Sequence, residues 1–296
     1  MERKKILLVR MDRIGDLVLT LPVAGHSALQ NFDVLWLVNQ GTEFVLESTT
    51  HPAVFKTLKK SFSISQFFQF VRWLKSERLD VSIVFHAPWW VGAALRIAGV
   101  PIRVGRKSQW HSFLFFNCGI RQSRKSGERH ETEFNLELVD SIFGKSKKDV
   151  EPLPLVPQSL NWRWSQILES DEFFVVHPGM GGSALNWSHK RWIELIELLS
   201  EKSKVVLTGT ESDSEWVDPI AMRFKDRKSV INLKGQANPK ELLLLLSKSK
   251  AVIAPSTGVL HLSASLGVPT VGIFSKVPAE RATRWGARGP RVFNLE

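Results

Sequence analysis

The sequence has no tyrosine, one cysteine, no long apolar run and few acids for its bases. The single cysteine, Cys118, excludes an internal disulfide and any zinc site built on cysteines. It fits a reducing, cytoplasmic setting. No stretch reaches the roughly 18 apolar residues of a membrane-spanning helix. The basic start, Met1 to Lys5, leads into an apolar core of four residues closed by Arg10, so it does not read as a signal peptide. No fixed-period repeat or low-complexity tract occurs. The missing tyrosine, against 18 Phe and 11 Trp, carries no physical reading. Asp plus Glu number 29 against 40 Lys plus Arg, a net charge of +11. That balance favours acidic partners, whether nucleic acid, an anionic membrane face or a phosphorylated substrate.

What is present is an ordinary folded composition. Of 296 residues, 43% are hydrophobic and 23% charged, which excludes global disorder. The length suggests about two domains. Lys5 to Val9 is an apolar run of the buried parallel type. A helix is expected over Gly15 to Leu29, then strands at Asp33–Val38, Val81–Phe85 and Ile102–Val104. Ile64, Phe67, Phe68, Val71 and Leu74 lie at helical spacing, so 64–79 reads as an amphipathic helix with that face inward. Another helix is expected near Glu131 to Phe143. Residues 151–157 carry prolines at alternate positions, which suits an extended linker. Alternation then resumes. Strands are expected at Phe173–Val176, Lys204–Leu207, Val230–Leu233, Ala251–Ala254 and Pro269–Phe274. Helices are expected around Trp192–Leu199, over Pro239–Lys248 and from Gly258. Strands alternating with helices imply parallel sheets, here two Rossmann-like α/β domains, 1–150 and 158–296, with a cleft between them.

Ligands of such sheets bind at the carboxyl ends of strands, at helix N-termini. Four junctions carry candidate chemistry. In Arg13-Ile14-Gly15-Asp16, Asp16 is either a helix N-cap or a general base. The loop from His177 to Trp187 has Gly179, Gly181, Ser183 and Asn186, where small residues let backbone N–H groups approach a phosphate. It is neither G-x-G-x-x-G nor a P-loop. Thr208, Gly209, Asp213 and Glu215 offer an acidic turn that suits ribose hydroxyls or, more blandly, helix capping. Ser256, Thr257 and Gly258 open a helix at a position favouring a diphosphate, with His261 one turn on; the bland alternative is an ordinary cap and a packed histidine.

With these motifs in order, the chain resembles glycosyltransferase family nine, the ADP-heptose:lipopolysaccharide heptosyltransferases. The carriers are Arg13-Ile14-Gly15-Asp16, His177-Pro178-Gly179 through Trp187, and Pro255 through His261. Leu266 through Phe274 and Pro278-Ala279-Glu280-Arg281 complete the set. The resemblance implies a GT-B fold, with the acceptor on the first domain and the nucleotide-sugar on the second. It implies inverting transfer of a heptose from ADP-heptose, as co-substrate, without a metal or other cofactor. Asp16 falls on the family's base, and Thr257 and Gly258 fall on its diphosphate-binding turn, with His261 alongside. The acceptor implied is a lipopolysaccharide inner core or related surface glycan, handled at the inner face of the inner membrane. Three departures stand out. Ser256 occupies a position where the family usually has Asp. Leu185 and Asn186 stand where a phosphate-binding Lys or Arg is common. The sequence ends shortly after Trp285-Gly286, where members usually continue.

The stretch 101–130 is basic, with aromatics interleaved. Arg103, Arg106, Lys107 and Arg121, together with Arg13, are the candidate cations for an acidic glycolipid acceptor. Trp110, Phe113, Phe115 and Phe116 read either as its aromatic company or as core. Nucleic acid also fits charge plus aromatics, but no RRM, KH or helix-turn-helix signature accompanies it, so none is expected. The competing functions are another GT-B transferase, a nucleotide-sugar epimerase, or a non-catalytic nucleotide-sugar or glycolipid binder.

Overall fold

Short apolar runs bounded by charge become buried parallel strands here. The computed structural model describes residues 3–50, 53–108, 110–124, 126–148, 150–158, 164, 172–181 and 185–296. The chain forms two compact units, Met1–Leu153 and Pro154–Glu296.

In the first unit, β1 (Lys4–Arg10) lies at the centre, between β2 (Phe32–Asn39) and β4 (Val81–His86). β3 (Val54–Leu58) and β5 (Ile102–Gly105) are the edges, and every pairing is parallel. The helices are α1 (Ile14–Val18), α2 (Phe44–Glu47), α3 (Ile64–Glu77), α4 (Trp89–Ile97), α5 (Trp110–Phe115) and α6 (Glu131–Phe143). Leu7, Val9 and Leu37 of the sheet pack against Phe70, Leu74, Val91 and Leu95 of α3 and α4.

Two expectations change here. The helix expected over Gly15 to Leu29 is only the short α1, followed by 3-10 turns at Leu21–Gly25 and Ser27–Asn31. Pro22 lacks an N–H and His26 is extended, so the turns cannot join into one helix. The apolar face assigned to α3 is also rotated. Phe70, Val71 and Leu74 are buried, whereas Ile64 and Phe68 face solvent. This helix is apolar on more than one side, so spacing alone could not choose which row meets the sheet. Ser63 caps its start, accepting from Gln66 N–H at 3.2 Å, and Arg78 ends it in a left-handed conformation.

In the second unit the sheet order is β11-β10-β9-β6-β7-β8. Its elements are β6 (Phe173–Val176), α7 (His189–Ser200), β7 (Lys204–Leu207), α8 (Ser214–Arg223) and β8 (Val230–Asn232). They continue with α9 (Pro239–Lys248), β9 (Ala251–Pro255), α10 (Gly258–Ser265), β10 (Thr270–Ile273), α11 (Ala282–Trp285) and β11 (Val292–Leu295). Trp192 and Ile196 of α7 fill the core against Val205 and Leu207. α8 carries Pro219 in its interior, which removes the N–H that would reach the Glu215 carbonyl. His189 Nε2 bonds that carbonyl instead, at 2.9 Å. The proline-rich stretch is anchored where Leu155, buried, donates its N–H to Ser265 O at 2.9 Å. No helix among the described residues is long and apolar enough to cross a membrane.

Candidate active site at two topological switch points

An open parallel sheet leaves a crevice where successive connections reverse direction. In the first unit the chain steps from β1 out to β3, then returns past β1 to β4. The carboxyl ends of β1 and β4 therefore frame the crevice. Their register slips there: Val9 pairs with Val84 but Arg10 with His86, and Met11 N–H donates to His86 O at 2.9 Å.

Arg10, the last residue of β1, is buried, and its guanidinium is the hub of the site. Nε donates to Asp12 at 2.7 Å and Nη2 to Asp16 at 2.6 Å. Nη1 reaches Asn135 at 3.2 Å and Glu131 at 3.4 Å, both on α6. Arg124 donates to the same Glu131. A rigid fork of donors that never loses its charge suits several oxygens at once. Asn135 also donates to Thr20 Oγ1 at 3.0 Å and to Leu19 O at 3.3 Å, tying α6 to the end of α1.

Asp16 is not the N-cap. Arg13 takes that position, without a side-chain cap bond, and Asp16 sits in the first turn of α1. Its pKa is pushed up to about 6, by burial first and by Asp12 and Glu131 next, against the pull of Arg10. Near neutral pH it is therefore an ionised carboxylate of unusual basicity. His86 lies with Nδ1 4.0 Å from Asp12, and its pKa is lowered by partial burial and by Arg10, Arg106 and Lys60, which outweigh Asp12.

The candidate acceptor cations disperse. Arg13 is exposed. Arg103 braces its own loop, donating to Phe115 O at 2.8 Å and to Val100 O. Arg106 donates to Ser108 Oγ at 2.9 Å and lies close enough to His86 to affect its charge. Lys107 is half-buried, with its backbone N–H on Ile120 O at 2.9 Å. Arg121 is exposed, 5.9 Å from the Phe113 ring. Trp110 and Phe113 are exposed, while Phe115 and Phe116 are half-buried, so this aromatic group is not core as a whole.

In the second unit the reversal falls between β6 and β9. His177 follows β6 directly, with Nδ1 3.0 Å from Thr208 Oγ1, and burial lowers its pKa to about 4 against the influence of Asp213. It is a neutral hydrogen-bonding strut, and Thr208 is its partner. Gly179 is dictated by contact: a Cβ there would lie 2.3 Å from Asp213 Cγ. At Gly209 a Cβ would lie 2.8 Å from Val217. Asp213 accepts from Thr210 N–H at 2.8 Å and from its hydroxyl at 2.7 Å in a capping box. The capping alternative for this turn is thus the one observed, and Glu215 is the exposed acid beside it. Asn186 spends its amide on the loop, donating to Pro178 O at 2.7 Å and accepting from Trp187 N–H at 2.8 Å. Gly181 has a positive φ of 55°, and Ser183 lies outside the described residues. Glu280 accepts from Leu185 N–H at 3.0 Å, joining two of the motifs noted in the sequence.

α10 starts without the ordinary cap. Thr257 is its N-cap, but the side chain makes no cap bond. Its buried Oγ1 has no hydrogen-bond partner among the described residues. Ser256 and Gly258 are half-buried, and His261 is buried in the first turn. The leading N–H groups of α10 thus keep the anion preference of an uncapped helix start.

Arg10, Asp12, His86, Glu131 and Asn135 were not anticipated from sequence. Two signals point to them: a charged residue ending a buried strand, and an acid and an amide four residues apart on one helix face. Among the described residues no group of three or more His, Cys, Asp or Glu is arranged to hold a metal ion. The cations set against these carboxylates are Arg10 and, at Glu131, Arg124.

A family model described as glycosyltransferase family 9 (heptosyltransferase) matches residues 67–294. A Haemophilus influenzae protein provisionally named a glycosyltransferase is 27% identical, over 95% of this chain and 85% of its own length. Lipopolysaccharide heptosyltransferase 1 of Escherichia coli K12 is 21% identical, over 91% of this chain and 87% of its own. The solved structure of the E. coli ADP-heptose lipopolysaccharide heptosyltransferase II aligns with a TM-score of 0.80 at 17% identity, covering 98% of this chain and 90% of that one.

Proposed function

The chain belongs to glycosyltransferase family 9, the heptosyltransferase family, and has the GT-B fold, and we propose that it moves a heptose from ADP-heptose to a lipopolysaccharide inner core or related surface glycan. The observation that carries this reading is Asp16, a carboxylate of raised basicity fixed by Arg10 at the switch point of the first unit. The names of the relatives supply the donor and acceptor classes.

The chemistry follows from inversion. The acceptor hydroxyl attacks the anomeric carbon from the face opposite the leaving group. Its oxygen forms the new glycosidic bond, and its proton passes to Asp16. The bond from that carbon to the donor phosphate breaks, and its electron pair leaves with ADP. The oxocarbenium-like transition state resembles that of glycoside hydrolysis, with a sugar hydroxyl in place of water. A base with a pKa near 6 is matched to this task, because it is ionised at neutral pH yet still takes a proton readily. The departing diphosphate is met by the N–H groups and dipole of α10 rather than by a metal ion. Gly179 and Gly181 let their loop approach it, and Glu215 is the candidate acid for the ribose. Acceptor phosphates are drawn to Arg13, Arg106, Lys107 and Arg121. The enzyme works at the cytoplasmic face of the membrane that carries its acceptor.

Thermal melting with ADP, UDP and GDP tests the donor half, with Gly258→Asp beside the wild-type chain. A ligand that binds only the native state raises Tm once its concentration exceeds Kd. ADP is expected to stabilise the wild-type chain, and the variant, with an anion at the start of α10, is expected to lose the shift while keeping its fold. Stabilisation by UDP or GDP alone would overturn the donor, and no shift with any nucleotide would overturn the donor site.

A further inference from the structure

The positive charge and the exposed apolar side chains of the first unit occupy the same segments. Residues 48–76 hold no Asp or Glu against five Lys or Arg, and residues 81–127 hold none against seven. These segments supply β3 to α3, β4 to α4 and β5 to α5. Phe62, Ile64, Phe68, Trp89, Phe113 and Leu114 all lie there and are exposed, from 49% for Leu114 to 69% for Ile64. They are not scattered. Phe62 stacks on Trp89 with ring centroids 6.0 Å apart, and Trp89 on Phe115 at 6.5 Å. Phe62 also meets Phe67 at 5.9 Å, and Phe67 meets Phe68 at 5.6 Å. The cations are laced into this ridge. Arg96 donates to Leu114 O, Arg103 to Phe115 O, and Arg121 lies over Phe113. Lys59 and Lys60 lead into Phe62.

A contiguous apolar patch on a soluble surface marks an interaction site. Its chemistry narrows the partner. Aromatic rings seat at the headgroup level of a bilayer, aliphatic side chains reach the acyl boundary, and Lys and Arg meet anionic headgroups. Aliphatic Ile64 and Leu114 do not serve base stacking, and the absence of any acid suits a uniformly negative partner. The geometry points to an anionic phospholipid bilayer as the occupant of this ridge. Residues 59–63, 87–88 and 106–108 follow strands β3, β4 and β5, so the ridge starts on the carboxyl edge of the sheet, the edge that also carries Asp16. The inference deepens the reading above, since it rests on an acceptor held in a membrane and says which surface meets that membrane.

Co-sedimentation of the full chain with phosphatidylglycerol vesicles, and with phosphatidylcholine vesicles, tests it without nucleotide or sugar. The wild-type chain is expected to bind phosphatidylglycerol, to lose binding as salt rises, and to ignore phosphatidylcholine. The double variant Ile64→Ser with Phe68→Ser changes only outward-facing side chains. It should weaken binding about tenfold or more, roughly the scale of a few buried methylene groups, with an unchanged Tm and an unchanged ADP shift. Lys59→Gln with Lys60→Gln should flatten the salt dependence. Indifference of the wild-type chain to phosphatidylglycerol, or wild-type binding by the apolar variant, would overturn the proposal. So would a lipid-free dimer abolished by the apolar variant, or tighter binding to single-stranded DNA. The ADP shift reads the enzyme assignment separately, so either claim can fail alone.

Discussion

Asp16 owes its basicity to company that is remote in sequence. Burial and the carboxylates of Asp12 and Glu131 favour its proton, while Arg10 opposes them. Its pKa of about 6 lies above the ordinary aspartate value, so the native state holds that proton more tightly than the unfolded chain does. Raising pH from about 4 to about 6 therefore costs native stability, and above that window the cost is complete. Asp16→Asn removes it. The variant is expected to melt higher than the wild-type chain at pH 8, by about 1–3 kcal/mol, with the gain vanishing near pH 4. Lower melting at pH 8 would show that Asp16 is a structural partner of Arg10 and no functional compromise. The candidate base was legible in the sequence because it sits in a compact motif after a strand. Its tuning was not, since Glu131 and Asn135 reach Arg10 across more than a hundred residues.

Elements were legible where one pattern competed with no other. β6, β7 and α9 fall where apolar runs and a leucine-rich stretch placed them. β3 was missed because Lys56 and Thr57 interrupt an edge strand of mixed exposure. α8 starts where the capping alternative put it, with Asp213 as N-cap and Glu215 in the first turn, and the His189 bond to Glu215 O meets the cost of Pro219. At the donor turn, sequence left capping and ribose binding open, and the box with Thr210 shows Asp213 in the capping role. Gly179 carries a prediction at this scale. A methyl group there cannot coexist with Asp213 where it stands, so Gly179→Ala must displace the loop or the Asp213 side chain that caps the next turn. The expected result is a weakened ADP shift with a modest loss of Tm. An undiminished ADP shift would place the nucleotide elsewhere.

For the whole molecule, the net charge of +11 was visible from composition, but its meaning depends on where it lies. The acid-free segments concentrate positive charge on the first unit, whereas Asp213, Glu215 and Glu280 belong to the second. The same division holds for function. The first unit presents a tuned carboxylate, and the second presents an uncapped helix start. Two parallel sheets were legible from alternation, and each switch point follows from strand order once the sheets are known. The most direct test of the account is release of ADP from ADP-heptose in the presence of a heptose-acceptor lipopolysaccharide core, followed across pH for the wild-type chain and Asp16→Asn. The account predicts turnover by the wild-type chain that falls away below about pH 6, and a loss of about 10²–10⁴-fold in the variant with its ADP shift retained. Comparable turnover by the variant would contradict it.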